Sequence, residues 1–261
     1  MTAVRPIRIA AQVQPQHGEY AQLRDMVLTA EEIGVDIVYN WDHFFPLMGD
    51  PDGKHFECWT MLGSMAEMTT SVEIGALVTC NSYRNPELLG DMARTVDRIS
   101  GGRLILGVGA GWQIRDYDAF GYAFGDAPSR LRALDADLPR TIARMAAGNP
   151  APTRRIPILV GGGGEKVTLR IAAQHADTWH GFGDAETLKR KNAILDDHCR
   201  RLGRDPGEIE RSAGARPGGV AAAQALLDAG ITQITIGMDG TSFDPAVIRT
   251  WVAWRDEHNA A

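Results

Sequence analysis

Leu104-Ile105-Leu106-Gly107-Val108-Gly109-Ala110-Gly111-Trp112 is the stretch on which the fold turns. An aliphatic run enters a glycine-rich end, where missing side chains let a flat ring or a phosphate come close to the backbone. A dinucleotide-binding Rossmann loop would carry the full G-x-G-x-x-G spacing, followed about 20 residues later by a strand ending in an acid. This chain has neither, so the dinucleotide fingerprint is rejected. Outward from this strand, short β-branched runs alternate with longer segments of helical period. The runs cover 7–13, 36–39, 72–78, 104–108, 156–160, 177–180, 209–213 and 231–236. Eight such units at roughly 30-residue spacing predict a closed (β/α)8 TIM barrel rather than the open sheet built from the same parts.

The segments between strands carry helix grammar. Leu23, Met26, Val27, Ala30 and Ile33 recur at helical spacing and stop at Gly34, a residue suited to a left-handed C-terminal cap. Asn85-Pro86 offers an N-cap followed by proline at the first helical position; Leu88, Leu89, Met92, Ala93, Val96 and Ile99 supply a buried stripe, and Gly101-Gly102 ends it. Asp244-Pro245 opens a last helix with Val247, Ile248, Trp251 and Val252 inside. No linker or composition shift divides the chain, which predicts a single domain over 1–261.

Composition narrows the function classes. With 44% hydrophobic and 23% charged residues the chain can bury a large core. A formal charge of -6 with interspersed acids and bases argues against a nucleic-acid footprint, and Thr153-Arg154-Arg155 reads as a solvated loop. The N-terminal residues lack the apolar region of a signal peptide, and no run approaches the ~18 apolar residues of a membrane span, so a cytoplasmic protein is expected. Cys58, Cys80 and Cys199 form neither a disulfide framework nor a zinc pattern.

In a barrel, residues after each strand face the active site. Tyr39 to Pro46 combines aromatic side chains with Asp42 and His43, which suits either a small-molecule pocket with a proton shuttle or a helix cap beside a rim histidine. Thr79-Cys80-Asn81-Ser82 offers small hydrogen-bonding side chains that are equally ordinary capping chemistry. Gly161, Gly162, Gly163 and Gly164 lead into a plausible helix and read as an anion nest, since four glycines cost backbone entropy that a plain turn does not need. His175, Asp177 and His180 are close in sequence but diverge across a helix-to-strand transition, so no metal site is expected.

Taken in order and spacing, these segments resemble the luciferase-like superfamily over nearly the whole chain, especially its oxidoreductases using the deazaflavin coenzyme F420. The carrying pieces are Trp41-Asp42-His43-Phe44, Asn85-Pro86-Glu87-Leu88-Leu89, the stretch from Thr95 to Arg103, Gly107 to Trp112, Phe120-Gly121, Gly161 to Glu165 and Ala176-Asp177-Thr178-Trp179. The resemblance implies that Asp42 and Thr79 contact the deazaflavin, that Ala110 and Gly111 line its ring or tail, and that Gly161 to Gly164 hold its phosphate. It assigns His43 to the histidine beside the reactive ring carbon, and implies a non-prolyl cis peptide at Ala76-Leu77. Pairing of two copies through outer helices is implied in the same way.

Two departures stand out. Members that oxidise a sugar phosphate carry a glutamate where this chain has Trp112, and the usual insertion is nearly absent between Leu138 and Ile156. The expectation is hydride transfer between F420 and a small organic substrate, with His43 moving one proton. The alternatives are an FMN-dependent monooxygenase on the same fold and a carrier that binds F420 without turnover.

Overall fold

A computed structural model describes residues 5–239 and 243–260. Residues 1–4, on which the signal-peptide reading partly rests, and 240–242 and 261 of the expected 1–261 domain lie outside the described residues. The strands are β1 (Arg8–Gln14), β2 (Ile37–Asn40), β3 (Glu73–Ala76), β4 (Thr79–Cys80), β5 (Leu104–Gly109), β6 (Ile158–Gly161), β7 (Thr178–Gly181), β8 (Glu210–Gly214) and β9 (Gln233–Asp239). All pairings are parallel and run β3-β2-β1-β9-β8-β7-β6-β5-β4. The sheet closes because β3 also pairs with β5, Ile74 opposite Leu104, while β4 continues along the same edge with Thr79 opposite Val108. β3 and β4 are therefore one stave in two pieces, and the barrel has eight staves, as the sequence predicts.

The break in that stave corrects the expected continuous strand 72–78. Leu77 N still donates to Asn40 O at 2.9 Å, extending the ladder with β2 one residue past β3. The non-prolyl cis peptide follows at Leu77-Val78, one residue later than expected. Neighbouring staves approach closely here: a Cβ on Gly107 would lie 2.0 Å from Ala76 O, and one on Gly75 would lie 2.5 Å from Ile105 O. Glycine is the residue that permits such contact.

The outer ring comprises α1 (Tyr20–Ile33), α2 (Cys58–Met68), α3 (Pro86–Ile99), α4 (Ile114–Phe120), α5 (Ala127–Ala147), α6 (Thr168–His175), α7 (Ala185–Arg201), α8 (Ala223–Asp228) and α9 (Pro245–Ala260). Leu23, Met26, Val27 and Ala30 of α1 are buried, and Gly34 caps it at φ 96°. Asn85 Oδ1 accepts Glu87 N and Leu88 N at the start of α3. Its stripe is rotated from the expected one. Leu88 and Ile99 are exposed, while Leu89, Gly90, Ala93, Val96 and Asp97 are buried. α5 packs directly on Gly90, where a Cβ would meet Thr141 O at 2.9 Å, and this contact sets the rotation. Val247 of α9 is also exposed, whereas Ile248, Trp251 and Val252 are buried as expected.

The Ser-Gly-Gly-Arg end of α3 has a structural use. Arg103 donates to Ser100 O, Thr69 Oγ1, Val72 O, Ala66 O and Thr69 O at 2.6–2.9 Å, tying the end of α2 to the entry of β3. Among the described residues no helix is long and apolar enough to cross a membrane.

Candidate active site at the C-terminal rim

Parallel strands bring all their C-terminal ends to one rim, and there a cavity of about 380 Å3 opens. Trp41, Asp42 and His43 line it after β2, Leu77, Val78 and Cys80 along the broken stave, and Gly109 to Trp112 after β5. Gly161 and Gly162 follow β6, and Phe182 follows β7. The cleft is mainly apolar with a few convergent polar groups, the usual make-up of a small-molecule site.

His43 is the polar group with the most definite orientation. Its Nδ1 lies 2.6 Å from Asp116 Oδ2. Asp116, fully buried on α4, also accepts Phe44 N at 3.1 Å through Oδ1 and Tyr83 Oη at 3.0 Å through Oδ2. Burial works to raise this carboxyl, but the His43, Phe44 and Tyr83 donors outweigh it and hold Asp116 below its ordinary value. An ionised carboxylate only accepts, so His43 Nδ1 carries a proton and Nε2 is the ring atom left to exchange one. Trp41 and Trp112 stand edge-on to the imidazole, with ring centroids at 6.0 and 5.6 Å.

Asp42 lines the cavity, yet its oxygens are engaged within the protein. Arg84 grips both, Nη1 to Oδ2 at 2.6 Å and Nη2 to Oδ1 at 3.0 Å, and Cys80 N donates to Oδ2 at 3.0 Å. Arg84 Nη2 also reaches Glu57 Oε1 at 2.7 Å, next to the start of α2. Burial pushes the Asp42 carboxyl up while Arg84 opposes it. The bidentate geometry fits an ionised pair.

Of the two residues in β4, Cys80 faces the cavity and Thr79 does not line it. Thr79 is fully buried and its Oγ1 has no hydrogen-bond partner among the described residues. Cys80 Sγ is 3.3 Å from Tyr117 Oη, and burial raises its thiol, so a reactive thiolate is disfavoured. Ala110 and Gly111 both line the cleft. Gly111 sits at φ 80°, and a Cβ there would lie 2.1 Å from Tyr117 Oη.

The four glycines divide. Gly161 and Gly162 line the cavity; Gly163 and Gly164 do not. Each is hemmed in by the protein itself: a Cβ would meet Val78 Cγ1 at 2.8 Å, Thr168 Cγ2 at 3.0 Å, Lys191 Nζ at 2.3 Å and Thr168 Oγ1 at 2.7 Å, in sequence order. α6 begins only at Thr168, after a turn, and has no side-chain N-cap. Among the described residues the N–H groups of Gly163, Gly164 and Glu165 have no backbone acceptor, and Lys191 Nζ donates to Gly163 O at 2.8 Å. Free N–H groups beside an ammonium and an uncapped helix start make this corner receptive to an anion.

His175, Asp177 and His180 are dispersed. Asp177 accepts Ile158 N and Arg155 Nη1, whereas His180 is buried on β7 with Nδ1 2.9 Å from Ser212 Oγ. Among the described residues no group of three metal-binding side chains gathers. Sequence reasoning did not identify Asp116, Tyr83 or Arg84. The aromatic and acidic run Arg115-Asp116-Tyr117 after the glycine-rich end was the available signal for the first.

The fold has close counterparts. An F420-dependent secondary alcohol dehydrogenase in complex with an F420-acetone adduct superposes with a TM-score of 0.80 at 16% identity, covering 94% of this chain and 96% of that one. An FMN-bound oxygenating constituent of 3,6-diketocamphane monooxygenase from Pseudomonas putida gives 0.66 at 13%, covering 81% and 67%. At such identities the likeness is one of fold. In sequence, an uncharacterized protein of Mycobacterium tuberculosis is 32% identical over 209 residues, 71% of this chain and 69% of the relative. An F420-dependent glucose-6-phosphate dehydrogenase of Microbacterium testaceum is 25% identical over 226 residues, 78% and 66%. The model of the luciferase-like monooxygenase family matches residues 2–217, and the chain belongs to that family.

Proposed function

We propose that this protein is an oxidoreductase that moves a hydride between the deazaflavin coenzyme F420 and a small organic substrate. The observation that carries the reading is His43, held by a buried ionised Asp116 at the edge of an apolar cleft whose other side is bare backbone. Relatives named as F420-dependent support the choice of coenzyme. The residues present fit such a group: the unpaired N–H groups at Gly163, Gly164 and Glu165 with Lys191 suit a phosphate, and Gly109 to Gly111 with Val78 suit a flat ring. When bound, the coenzyme supplies the carbon that gives or takes the hydride.

The chain's own contribution is orientation, exclusion of water and one proton. Leu77 and Val78 present apolar side chains to the cleft, and Gln12 Nε2 donates to Leu77 O at 2.9 Å, which steadies that segment. Trp41, Trp112 and Phe182 add aromatic surface to the cleft, Trp41 buried and the other two at its exposed mouth. His43 holds or receives a proton at Nε2 while Asp116 fixes the ring.

Fluorescence-quench titration with F420 and separately with FMN tests the reading. Tight binding of F420 alone is the expected result; tight binding of FMN alone replaces it with the monooxygenase reading, since the same nest accepts either phosphate. With F420 bound, His43→Ala should lower turnover of an enone or quinone by about 10²-fold or more, with the coenzyme affinity little changed. Unchanged turnover removes His43 from the reaction, and no turnover of any enone or quinone by the wild type would favour a carrier.

A further inference from the structure

A second cavity, of about 250 Å3, opens on the same rim above β7, β8, β9 and β1. Gln12, Leu77 and Phe182 line both cavities, so the two share a wall. Its remaining lining is mostly backbone and small side chains from Gly181, Gly183, Ala213 to Ala215 and Gly237, together with three polar groups, His180, Thr235 and Arg216.

Each polar group has unused capacity. Thr235 is only 5% exposed, and its Oγ1 has no hydrogen-bond partner among the described residues. A buried hydroxyl without a partner is costly, and a ligand would relieve that cost. His180 is buried with Nδ1 engaged by Ser212 Oγ; a Ser212 hydroxyl donating into Nδ1 leaves the ring proton on Nε2 as a donor. Burial pushes this imidazole down to about 4, so it enters the cavity neutral. The Arg216 side chain is half-buried and makes no ion pair or side-chain hydrogen bond among the described residues. No acidic side chain lines the cavity. The nearby Asp184, which Arg216 helps to keep ionised, is exposed and caps α7 through Thr187 N at 2.8 Å.

We propose that this second cavity is a subsite for the carboxylate end of a small organic acid, with Arg216 as the charged partner and Thr235 and His180 as hydrogen-bonding groups. A planar guanidinium matches a carboxylate with two parallel bonds. A single cation suits a singly charged acid better than a phosphate dianion, and the shared wall of Leu77 and Phe182 suits a short hydrocarbon body. The inference rests on the reading of the first cavity as the coenzyme cleft in one respect only: the shared wall makes the bound acid the substrate.

Isothermal titration of the purified protein without added coenzyme tests the subsite, with crotonate against crotonamide and benzoate against benzamide. At least one acid should bind about tenfold or more tightly than its amide, as a charge-assisted pair requires. Arg216→Gln should erase that preference, and Thr235→Val, nearly the same shape without the hydroxyl, should weaken the acid about threefold or more. Melting temperatures no lower than that of the wild type show that both variants fold, and Thr235→Val should melt slightly higher because it removes the orphaned hydroxyl. Equal binding of acid and amide, a preference that survives Arg216→Gln, or displacement of the acid by equimolar inorganic phosphate would each overturn the proposal. F420 binding without an acid preference defeats the subsite alone; an Arg216-dependent acid preference without F420 binding defeats the coenzyme reading and leaves the subsite standing.

Discussion

The two oxygens of Asp116 have different partners, and the difference decides what His43 can do. Oδ1 accepts the Phe44 N–H and fixes the carboxylate to the backbone; Oδ2 takes His43 Nδ1 and the Tyr83 phenol. Burial pushes the Tyr83 phenol up, so it serves as a neutral donor. Asp116→Asn can turn its amide N–H toward Nδ1, which would move the ring proton to Nε2 and block that atom as a base. The expected outcome is a fall in kcat of about 10²-fold, at the low end of general acid–base contributions, with KM and coenzyme affinity nearly unchanged. Steady-state kinetics on the variant would check this, and equal losses in kcat and coenzyme affinity would instead make Asp116 a structural prop. His43 could be singled out in the sequence because it sits between Asp42 and aromatic residues after a strand. Asp116 carries only the weaker signal of an acid beside an aromatic residue after the glycine-rich end, and its pairing with His43 is not legible, because the two lie 73 positions apart and only the fold brings α4 over the end of β2.

Arg84 acts between elements. It joins Asp42 after β2 to Glu57 before α2, while Asp42 in turn accepts the N–H of Cys80 in β4. The broken stave is thereby fastened to its neighbour on the side of the cleft. Both members of the main pair are buried, with side chains 9% and 0% exposed. Removing one partner leaves an uncompensated buried charge, so Arg84→Met should cost about 3–5 kcal/mol of stability. Adding Asp42→Asn should restore most of it, because the neutral amide removes the uncompensated charge while its Oδ1 can still accept the Cys80 N–H. Urea unfolding of the single and double variants measures both. A double variant no more stable than the single one would show that the pair is not what holds the staves. At this scale the sequence was informative where the determinants are local: the eight staves, the Asn85 cap, the Gly34 stop. It was less so where packing decides. The rotation of α3 follows from α5 pressing on Gly90, and the stave breaks at Leu77-Val78 just past its last ladder bond to Asn40; neither feature has a periodic signature.

The barrel as a whole has an apolar outer core between sheet and helices and a more polar interior toward β7, β8 and β9. His180 sits in that interior at 4% exposure, and burial alone lowers its imidazole to about 4 from an ordinary 6.5. Between those two values the unfolded chain binds a proton that the folded chain refuses, so stability falls as pH drops through this window. Above it, His180 adds no slope. The limiting slope is about 1.4 kcal/mol per pH unit. His55, accepting the Trp41 Nε1–H and also pushed to about 4, chiefly by burial, adds a parallel slope. Asp116 acts elsewhere on the scale: its folded value is depressed, so its contribution is present above the ordinary carboxylate value of about 3.9 and is lost only as pH falls through the depressed one. A comparison of wild type with His180→Gln cancels the His55 and carboxylate effects and leaves His180. At about pH 7 the variant should be the less stable protein, having lost the fit to Ser212, but by about pH 4.5 the gap should shift in the variant's favour by about 2 kcal/mol. Urea midpoints at both values measure the gap. A constant gap would mean that His180 is protonated or well solvated in the folded barrel, and then the interior at β7 is open to water rather than waiting for a ligand.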